Sequence, residues 1–236
     1  MCVIKMKQLL PRLKQLNKHL SFTKKAFTKR GFRHATIYIN GLITLNKKTI
    51  KQISIAYAEG EDESSLNRIL SEARFKQKNL EARYLKKIKY YTKGQELSLI
   101  FDDTLVEREG KKIEETQRHK NHADGAEYIT GHQFFTSIVY TPILQLPLFP
   151  QLYSKNTDSK IEMALNLVDL IVKSIPLDNV IMDSWYPDKK IIKKCMTKGV
   201  RVVCAIKANR KIAFERGEWL KLSKFAKSIL KKDYEY

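Results

Sequence analysis

Short apolar runs alternate with amphipathic helical patterns in the second half of this chain, and the alternation limits the folds open to it. Three of the runs are short and mostly apolar: residues 97–101, 180–182 and 200–206. A helical pattern at 161–172 precedes the second run and another at 188–198 precedes the third, as in parallel strands joined by crossover helices. Two further β-rich runs, 128–140 and 143–153, lie close enough to pair as an antiparallel hairpin. The sequence therefore predicts a mixed sheet with crossover helices, in the α/β or α+β class.

The residues before this region carry a helical period instead. Leucines at spacings of three and four mark a segment around 9–20, and apolar stripes follow at 48–57 and 64–88. The period changes near Lys93 and Gly94. We therefore expect two domains, an all-α domain at 1–94 and a sheet domain at 95–236.

Positive charge is concentrated in the amino-terminal part. Residues 1–95 contain 22 Lys and Arg against 6 Asp and Glu, and the first 50 residues contain no acidic side chain, in a chain of net charge +20. Such a block neutralises phosphates and releases their counterions, so we expect the helical domain to bind double-stranded DNA. A narrower alternative is a helix-turn-helix whose second helix carries Arg68 and Arg74 into the major groove.

No segment has the composition of a membrane span. The longest apolar stretch, residues 137–153, is interrupted by three prolines, whereas a span needs about 20 apolar residues in succession. Lys5 and Lys7 occupy positions that a signal peptide would keep apolar. We therefore expect no membrane partner and a cytoplasmic, nucleoid-associated location.

Carboxylates follow two of the apolar runs. Asp102 and Asp103 come after 97–101, and Asp183 comes directly after 180–182. Side chains just past the carboxyl ends of neighbouring parallel strands converge on one crevice. Two carboxylates that meet there repel unless a divalent cation lies between them, and hard oxygen ligands favour Mg²⁺. The pattern indicates phosphoryl transfer, although either position alone is more typical of a helix cap or a strand end.

Several short motifs follow one another in a characteristic order. They are Leu-Ile-Phe-Asp-Asp-Thr (99–104), Gly-His-Gln (131–133), Leu-Pro-Leu (146–148), Val-Ile-Met-Asp-Ser-Trp-Tyr (180–186) and Lys-Ala-Asn-Arg-Lys (207–211). Together they resemble DDE transposases of bacterial insertion sequences. The resemblance implies a ribonuclease H-like catalytic domain preceded by a helical DNA-binding domain. It also implies cleavage of DNA at element ends and joining of the freed 3′-hydroxyls to a target.

The same resemblance implies roles for individual residues. Asp103, directly before Thr104, and Asp183 would be catalytic and would hold Mg²⁺ or Mn²⁺, with Asp102 as a neighbour. Three basic side chains past the last core strand would contact the DNA backbone: Lys207, Arg210 and Lys211. Because joining two DNA ends normally takes two protomers, we expect a homodimer on DNA.

The third acidic residue is where the sequence departs from this family. In relatives it is a glutamate on a helix beyond the last core strand, usually after a β-rich insertion, and the sequence ends at Tyr236, where such an insertion would begin. Glu215, Glu218 and Glu235 remain as candidates, and the position of Glu218 suits relatives without the insertion. We therefore expect an incomplete, C-terminally truncated sheet domain.

Two other functions are compatible with the same sequence. The chain can be a catalytically silent DNA-binding remnant that interferes with full-length transposase. It can also be a different ribonuclease H-like nuclease, one that acts on RNA or on structured DNA.

Overall fold

A computed structural model describes most of the chain and divides it into two units between Tyr91 and Thr92. The described residues are 13–57, 62–72, 75–109, 113–120, 128–213 and 219–228. Within these ranges, no helix combines the length and the apolar character needed to cross a bilayer.

The first unit is helical wherever it is described. Its α-helices are α1 (Lys14–Leu20), α2 (Lys29–Thr44), α3 (Ile50–Ala56), α4 (Glu63–Ser71) and α5 (Gln77–Tyr91), with a 3₁₀ helix at Ser21–Ala26. Side-chain caps fix three of the starts, because Thr28, Thr49 and Asp62 each accept a hydrogen bond from the backbone N–H three residues later. The expected all-α character is therefore confirmed for these residues.

Helices α2, α3 and α4 enclose a small apolar core. Its buried members are Ile37, Ile53, Tyr57 and Leu66. Gly41 allows α2 to approach α3 closely, since a Cβ at this position would lie only 2.6 Å from Cγ1 of Ile53. The contact thus depends on the absence of a side chain at position 41.

The helices differ from the sequence patterns at α2, which no pattern predicted, and at 64–88. The single pattern at 64–88 is interrupted, because α4 ends at Ser71 and α5 begins at Gln77. The second of these helices is tied to the 3₁₀ helix just before it begins, where the Lys76 N–H donates to the Ala26 carbonyl at 3.0 Å. Leu9, Leu10 and Arg74 lie outside the described residues.

Among the described residues of the second unit, seven strands form one mixed sheet. They are β1 (Ser98–Glu107), β2 (Gln117–Lys120), β3 (Tyr128–Tyr140), β4 (Gln145–Pro147), β5 (Gln151–Tyr153), β6 (Asn179–Met182) and β7 (Arg201–Cys204). The spatial order is β2–β3–β1–β6–β7, and β4 and β5 both pair with β3. β1 is antiparallel to β3 but parallel to β6, and β6 is parallel to β7. The expected mixed sheet and the hairpin are confirmed.

Crossover helices connect the parallel strands, also as expected. Helix α6 (Lys160–Ser174) precedes β6, and α7 (Lys189–Thr197) links β6 to β7. Ser159 and Glu162 form a capping box at the start of α6. A small hairpin, β8 (Lys211–Ala213) with β9 (Trp219–Lys221), follows the sheet and leads into α8 (Leu222–Ser228).

Strand β1 extends beyond its aspartates, which corrects the expectation that both carboxylates follow strand ends. Its pairing with β3 continues to Glu107 opposite Gly131. A Cβ on Gly131 would lie 2.2 Å from the Val106 carbonyl oxygen, so the close approach of these strands requires glycine. Pairing with β6, in contrast, stops at Phe101 opposite Met182. Only Asp183 lies past a strand end.

One face of the sheet is buried and the other is partly open. On the buried face the strands contribute Leu99, Phe101, Phe135, Val139, Val180 and Met182. Helices α6 and α7 contribute the other buried side chains of this core: Ala164, Leu167, Val168, Ile171, Ile191 and Cys195. On the opposite face Ile100 and Ile181 are half-buried, and Val203 is 55% exposed. The core of this unit therefore lies on one side of the sheet.

Candidate active site

The pleat of β1 separates its two aspartates. Successive strand residues point to opposite faces, so Asp103 shares the buried face with Phe101 while Asp102 lies on the other face. Phe101 is opposite Met182 in the parallel pair, and the pairing of β1 with β6 ends there, so Asp102 and Asp183 each directly follow the last paired residue. Asp103 and Asp183, the two predicted catalytic residues, therefore lie at the same edge of the β1–β6 pair, with Asp102 between Phe101 and Asp103 on β1.

Asp103 is held by three side chains. Oδ2 accepts hydrogen bonds from Lys160 Nζ at 2.9 Å and from Gln133 Nε2. Oδ1 accepts one from the Tyr186 hydroxyl at 3.2 Å. The Asp103 carboxylate thus has both oxygens engaged and a cation in direct contact.

Lys160 lies in a pocket of aromatic rings. Its Nζ is 5.2 Å from the ring centre of Tyr153 and 5.0 Å from that of Trp185. Only 11% of its side chain is exposed. The electron-rich ring faces and the Asp103 carboxylate together offset the cost of burying the ammonium group.

Tyr186 links the carboxylates to the core. Its ring is fully buried and packs edge-on against Phe101 at 5.1 Å between centroids. Burial, followed by the negative charge of Asp103 and the hydrogen bond to it, raises the pKa of the Tyr186 hydroxyl. This hydroxyl therefore stays protonated at neutral pH and acts as a donor.

The pKa of the Asp102 carboxyl lies above its ordinary value. Desolvation raises its pKa, and the negative charges of Asp103 and Asp183 raise it further, against the backbone hydrogen bond from Asp103 N–H. The charges of Asp103 and Asp183 thus disfavour ionisation of the Asp102 carboxyl. Mutual repulsion of this kind is typical of sites that bind cations.

A buried histidine lies beside the aromatic pocket of Lys160. His119 on β2 is 5% exposed, and its ring centre lies 6.4 Å from that of Tyr153. Burial lowers the pKa of His119, and the positive charges of Lys155 and Lys160 lower it further. His119 is therefore a neutral neighbour of the site at neutral pH.

The predicted DNA-contacting residues lie at the edge of the sheet that carries Asp183. β6 and β7 are parallel, so the segment after β7 emerges on the same side as Asp183. Lys207 and Lys211 are exposed, whereas Arg210 donates a hydrogen bond to the Pro187 carbonyl. Arg210 therefore joins this segment to the loop before α7.

The donor set suits a hard divalent cation without forming a closed metal centre. In the described part of the chain, no three His, Cys, Asp or Glu side chains are close enough to hold an ion. Two carboxylates from adjacent strands nevertheless fit Mg²⁺, which is commonly bound through one or two carboxylates together with water and substrate phosphate. Glu215, Glu218 and Glu235, the candidates for a third acid, lie outside the described residues.

Three residues of the cluster were not identified as site residues from the sequence: Gln133, Lys160 and Tyr186. Gln133 and Tyr186 stand inside the Gly-His-Gln and Asp-Ser-Trp-Tyr motifs, which therefore gave a usable signal. Lys160 is an isolated lysine in a lysine-rich chain, and only the fold shows that it lies against Asp103.

Comparisons with known proteins give a family and two similar structures. A family model described as DDE superfamily endonuclease matches residues 22–145, just over half of the chain, including both aspartates of β1. The piggyBac transposase synaptic complex with hairpin DNA is similar in structure, with a TM-score of 0.42 and 12% identity over 87% of this chain and 50% of that one. The Drosophila P element transposase strand transfer complex gives a TM-score of 0.28 and 12% identity over 91% and 55%. The chain thus spans about half the length of either structure. No curated protein matches it.

Proposed function

This chain belongs to the DDE superfamily of endonucleases, and from that premise we propose that it is a transposase that cuts DNA at element ends and joins the freed 3′-hydroxyls to a target. The observation that carries the proposal is the placement of the β1 aspartates and of Asp183 at one edge of the sheet, directly after the last paired residues of the parallel strands β1 and β6. In this proposal residues 95–236 form the catalytic domain and residues 1–94 bind DNA.

The acidic cluster would hold Mg²⁺ or Mn²⁺. Asp183 and the β1 aspartates, of which the resemblance points to Asp103, provide the carboxylate oxygens. When bound, the divalent ion would activate the attacking oxygen and stabilise the leaving oxygen of a phosphodiester. The chain's own residues orient the site, since Tyr186, Gln133 and Lys160 fix the Asp103 side chain.

Basic residues would bring the DNA backbone to this edge. Lys207 and Lys211 are exposed beside the loop that follows β6, and Arg210 supports that segment through the Pro187 carbonyl. The first 50 residues, which contain no acidic side chain, carry 12 further Lys and Arg that favour binding to phosphates. Since transposition joins two element ends, we propose that two copies act together on DNA.

The decisive experiment is a cleavage assay on the purified chain. DNA with terminal inverted repeats should be nicked in the presence of Mg²⁺ or Mn²⁺, and Asp183→Asn should reduce the rate at least about 100-fold, because one of the carboxylates that stabilise the transition state is lost. Asp169→Asn is the matched control, since it removes a carboxylate that pairs with Lys194 away from the cluster. Equal cleavage by wild type and Asp183→Asn would disprove the proposed role of Asp183.

A silent DNA-binding remnant is the second candidate. It requires only the positive charge of the amino-terminal part, where the first 50 residues contain no acidic side chain. In that case the chain binds inverted-repeat DNA and inhibits a full-length transposase, and it cuts nothing with either metal ion. The same assay therefore separates the two functions.

A further inference from the structure

A pocket of about 310 Å³ lies within the first unit, between α2 and α4. The first turn of α2 lines this α2–α4 pocket with Arg30 and Gly31, and α4 lines it with Ser65 and Arg68. Pockets for small organic ligands begin at about 300 Å³. The space is therefore sufficient for a small organic molecule as well as for an inorganic ion.

Two guanidinium groups converge on one hydroxyl oxygen of this pocket. Arg30 Nη2 donates to Ser65 Oγ at 3.3 Å, and Arg68 Nη2 donates to the same oxygen at 3.4 Å. Ser65 is 2% exposed, and its hydroxyl donates in turn to Oδ2 of Asp62 at 2.9 Å. A buried oxygen of fixed orientation thus holds two cations side by side.

The two arginines are not neutralised within the first unit. Among the described residues, neither of them forms an ion pair with a carboxylate. Both oxygens of Asp62 already accept hydrogen bonds from Ser65, and Glu72 is the one acidic side chain in the lining. Two neighbouring guanidinium groups repel each other, and a phosphate that binds both relieves the repulsion and matches their planar forks.

The rest of the lining suits the organic part of a ligand. Phe27 and Ile69 supply apolar surface. The Phe27 ring is fixed by stacking on Phe75, with 5.4 Å between the ring centroids. Gly31 adds no side chain to the wall that α2 forms. An aromatic ring next to a phosphate site is an arrangement on which a nucleic acid base can stack.

We propose that the α2–α4 pocket binds a nucleotide through its terminal phosphate, with Arg30 and Arg68 on the phosphate oxygens and the base against Phe27. A phosphate inside a duplex carries a sugar on both sides and lies along a surface. A terminal phosphate can instead enter a recess that reaches the buried Ser65. The proposal goes beyond the proposed function, because it holds whether or not the second unit cuts DNA.

The test is isothermal titration calorimetry of the full chain with dAMP. The wild type should bind dAMP with a Kd below about 1 mM. Deoxyadenosine and inorganic phosphate should each bind at least about tenfold more weakly, because each lacks part of the contacts. Arg30→Gln with Arg68→Gln should weaken dAMP binding at least about tenfold. Both positions are exposed on helices, and glutamine has a high helix propensity, so this variant should fold, as thermal unfolding will show.

Two further variants separate the site from general positive charge. Lys47→Gln with Lys48→Gln removes the same charge from exposed positions between α2 and α3, outside the lining, and should leave dAMP binding unchanged. Arg30→Lys with Arg68→Lys keeps both charges but loses the planar forks, and should weaken binding at least about threefold. Equal losses in the two glutamine variants, or full affinity in the Arg→Lys variant, would overturn the site.

A single-stranded DNA pentamer, with and without a 5′-phosphate, distinguishes the two sources of a terminal phosphate. If the phosphorylated pentamer binds more tightly than its 5′-hydroxyl form, and Arg30→Gln/Arg68→Gln abolishes that preference, the phosphorylated end of a DNA strand occupies the pocket. If only dAMP binding depends on the two arginines, the ligand is a free nucleotide. If neither depends on them, or if dAMP binds no better than deoxyadenosine, the proposal is wrong.

Discussion

At the scale of single residues, His119 shows how the site is coupled to the stability of its unit. Burial and two neighbouring lysines lower its pKa in the folded state below the ordinary value of 6.5. The unfolded chain therefore binds a proton more readily, and the stabilisation is complete above pH 6.5 and is lost as the pH falls. We expect the free energy of unfolding to decrease between pH 7 and 5, with a smaller decrease in His119→Gln. Urea unfolding at several pH values measures both, with pH 8 as the baseline, and identical pH dependence in the two proteins would contradict the assignment.

At the scale of the element, the packing of α2 on α3 tests a contact in the first unit. Gly41→Ala should lower the free energy of unfolding by about 1–2 kcal/mol although alanine favours helix, because the new Cβ overlaps Cγ1, Cγ2 and Cδ1 of the buried Ile53. Urea unfolding measures the loss.

The control repeats Gly41→Ala in the Ile53→Ala variant, which lacks all three overlapping atoms. Gly41→Ala should be neutral or stabilising there, since only the gain in helix propensity remains. A loss of stability of the same size in both backgrounds would show that the close contact does not exist.

Helix α2 also shows which part of the fold could not be predicted from the sequence. The strands and crossover helices of the second unit were predictable because runs such as residues 180–182 are apolar throughout and are bounded by helical patterns. No pattern assigned the 16-residue helix α2, whose β-branched residues and Gly41 have low helix propensity and which is stabilised by packing against Ile53. Local sequence does not encode that contact.

The candidate site was also predictable only in part. The motifs placed Asp183 past a strand end, as the structure has it, but the length of β1 depends on its pairing with β3 and could not be inferred from the apolar run at 97–101. The contact between Asp103 and Lys160 joins positions 57 residues apart, and no spacing rule predicts it.

At the scale of the whole molecule, the positive charge predicts how DNA binding responds to salt. The affinity for duplex DNA should fall linearly with salt on logarithmic axes, with a slope of about 0.9 for each phosphate neutralised. Lys207→Gln with Lys211→Gln should reduce that slope by about 1.8 if both lysines contact phosphates. Fluorescence anisotropy at a series of KCl concentrations measures it.

The control removes equal charge from the opposite edge of the sheet. Lys173 and Lys198 are exposed and lie just before β6 and β7, so replacing both with glutamine should leave the slope unchanged. Equal reductions by the two pairs would mean that only the total charge matters and that neither edge is a defined DNA contact.

The unequal lengths of β1 and β6 affect how a long polymer reaches the carboxylates. β1 continues to Glu107 after β6 has ended at Met182, so within the described residues the sheet forms a ledge, with Asp102 and Thr104 exposed along it. A strand of nucleic acid can lie across a ledge and continue in both directions, whereas an enclosed pocket admits only a free end. Such a shape favours cutting in the interior of a chain over trimming from its terminus.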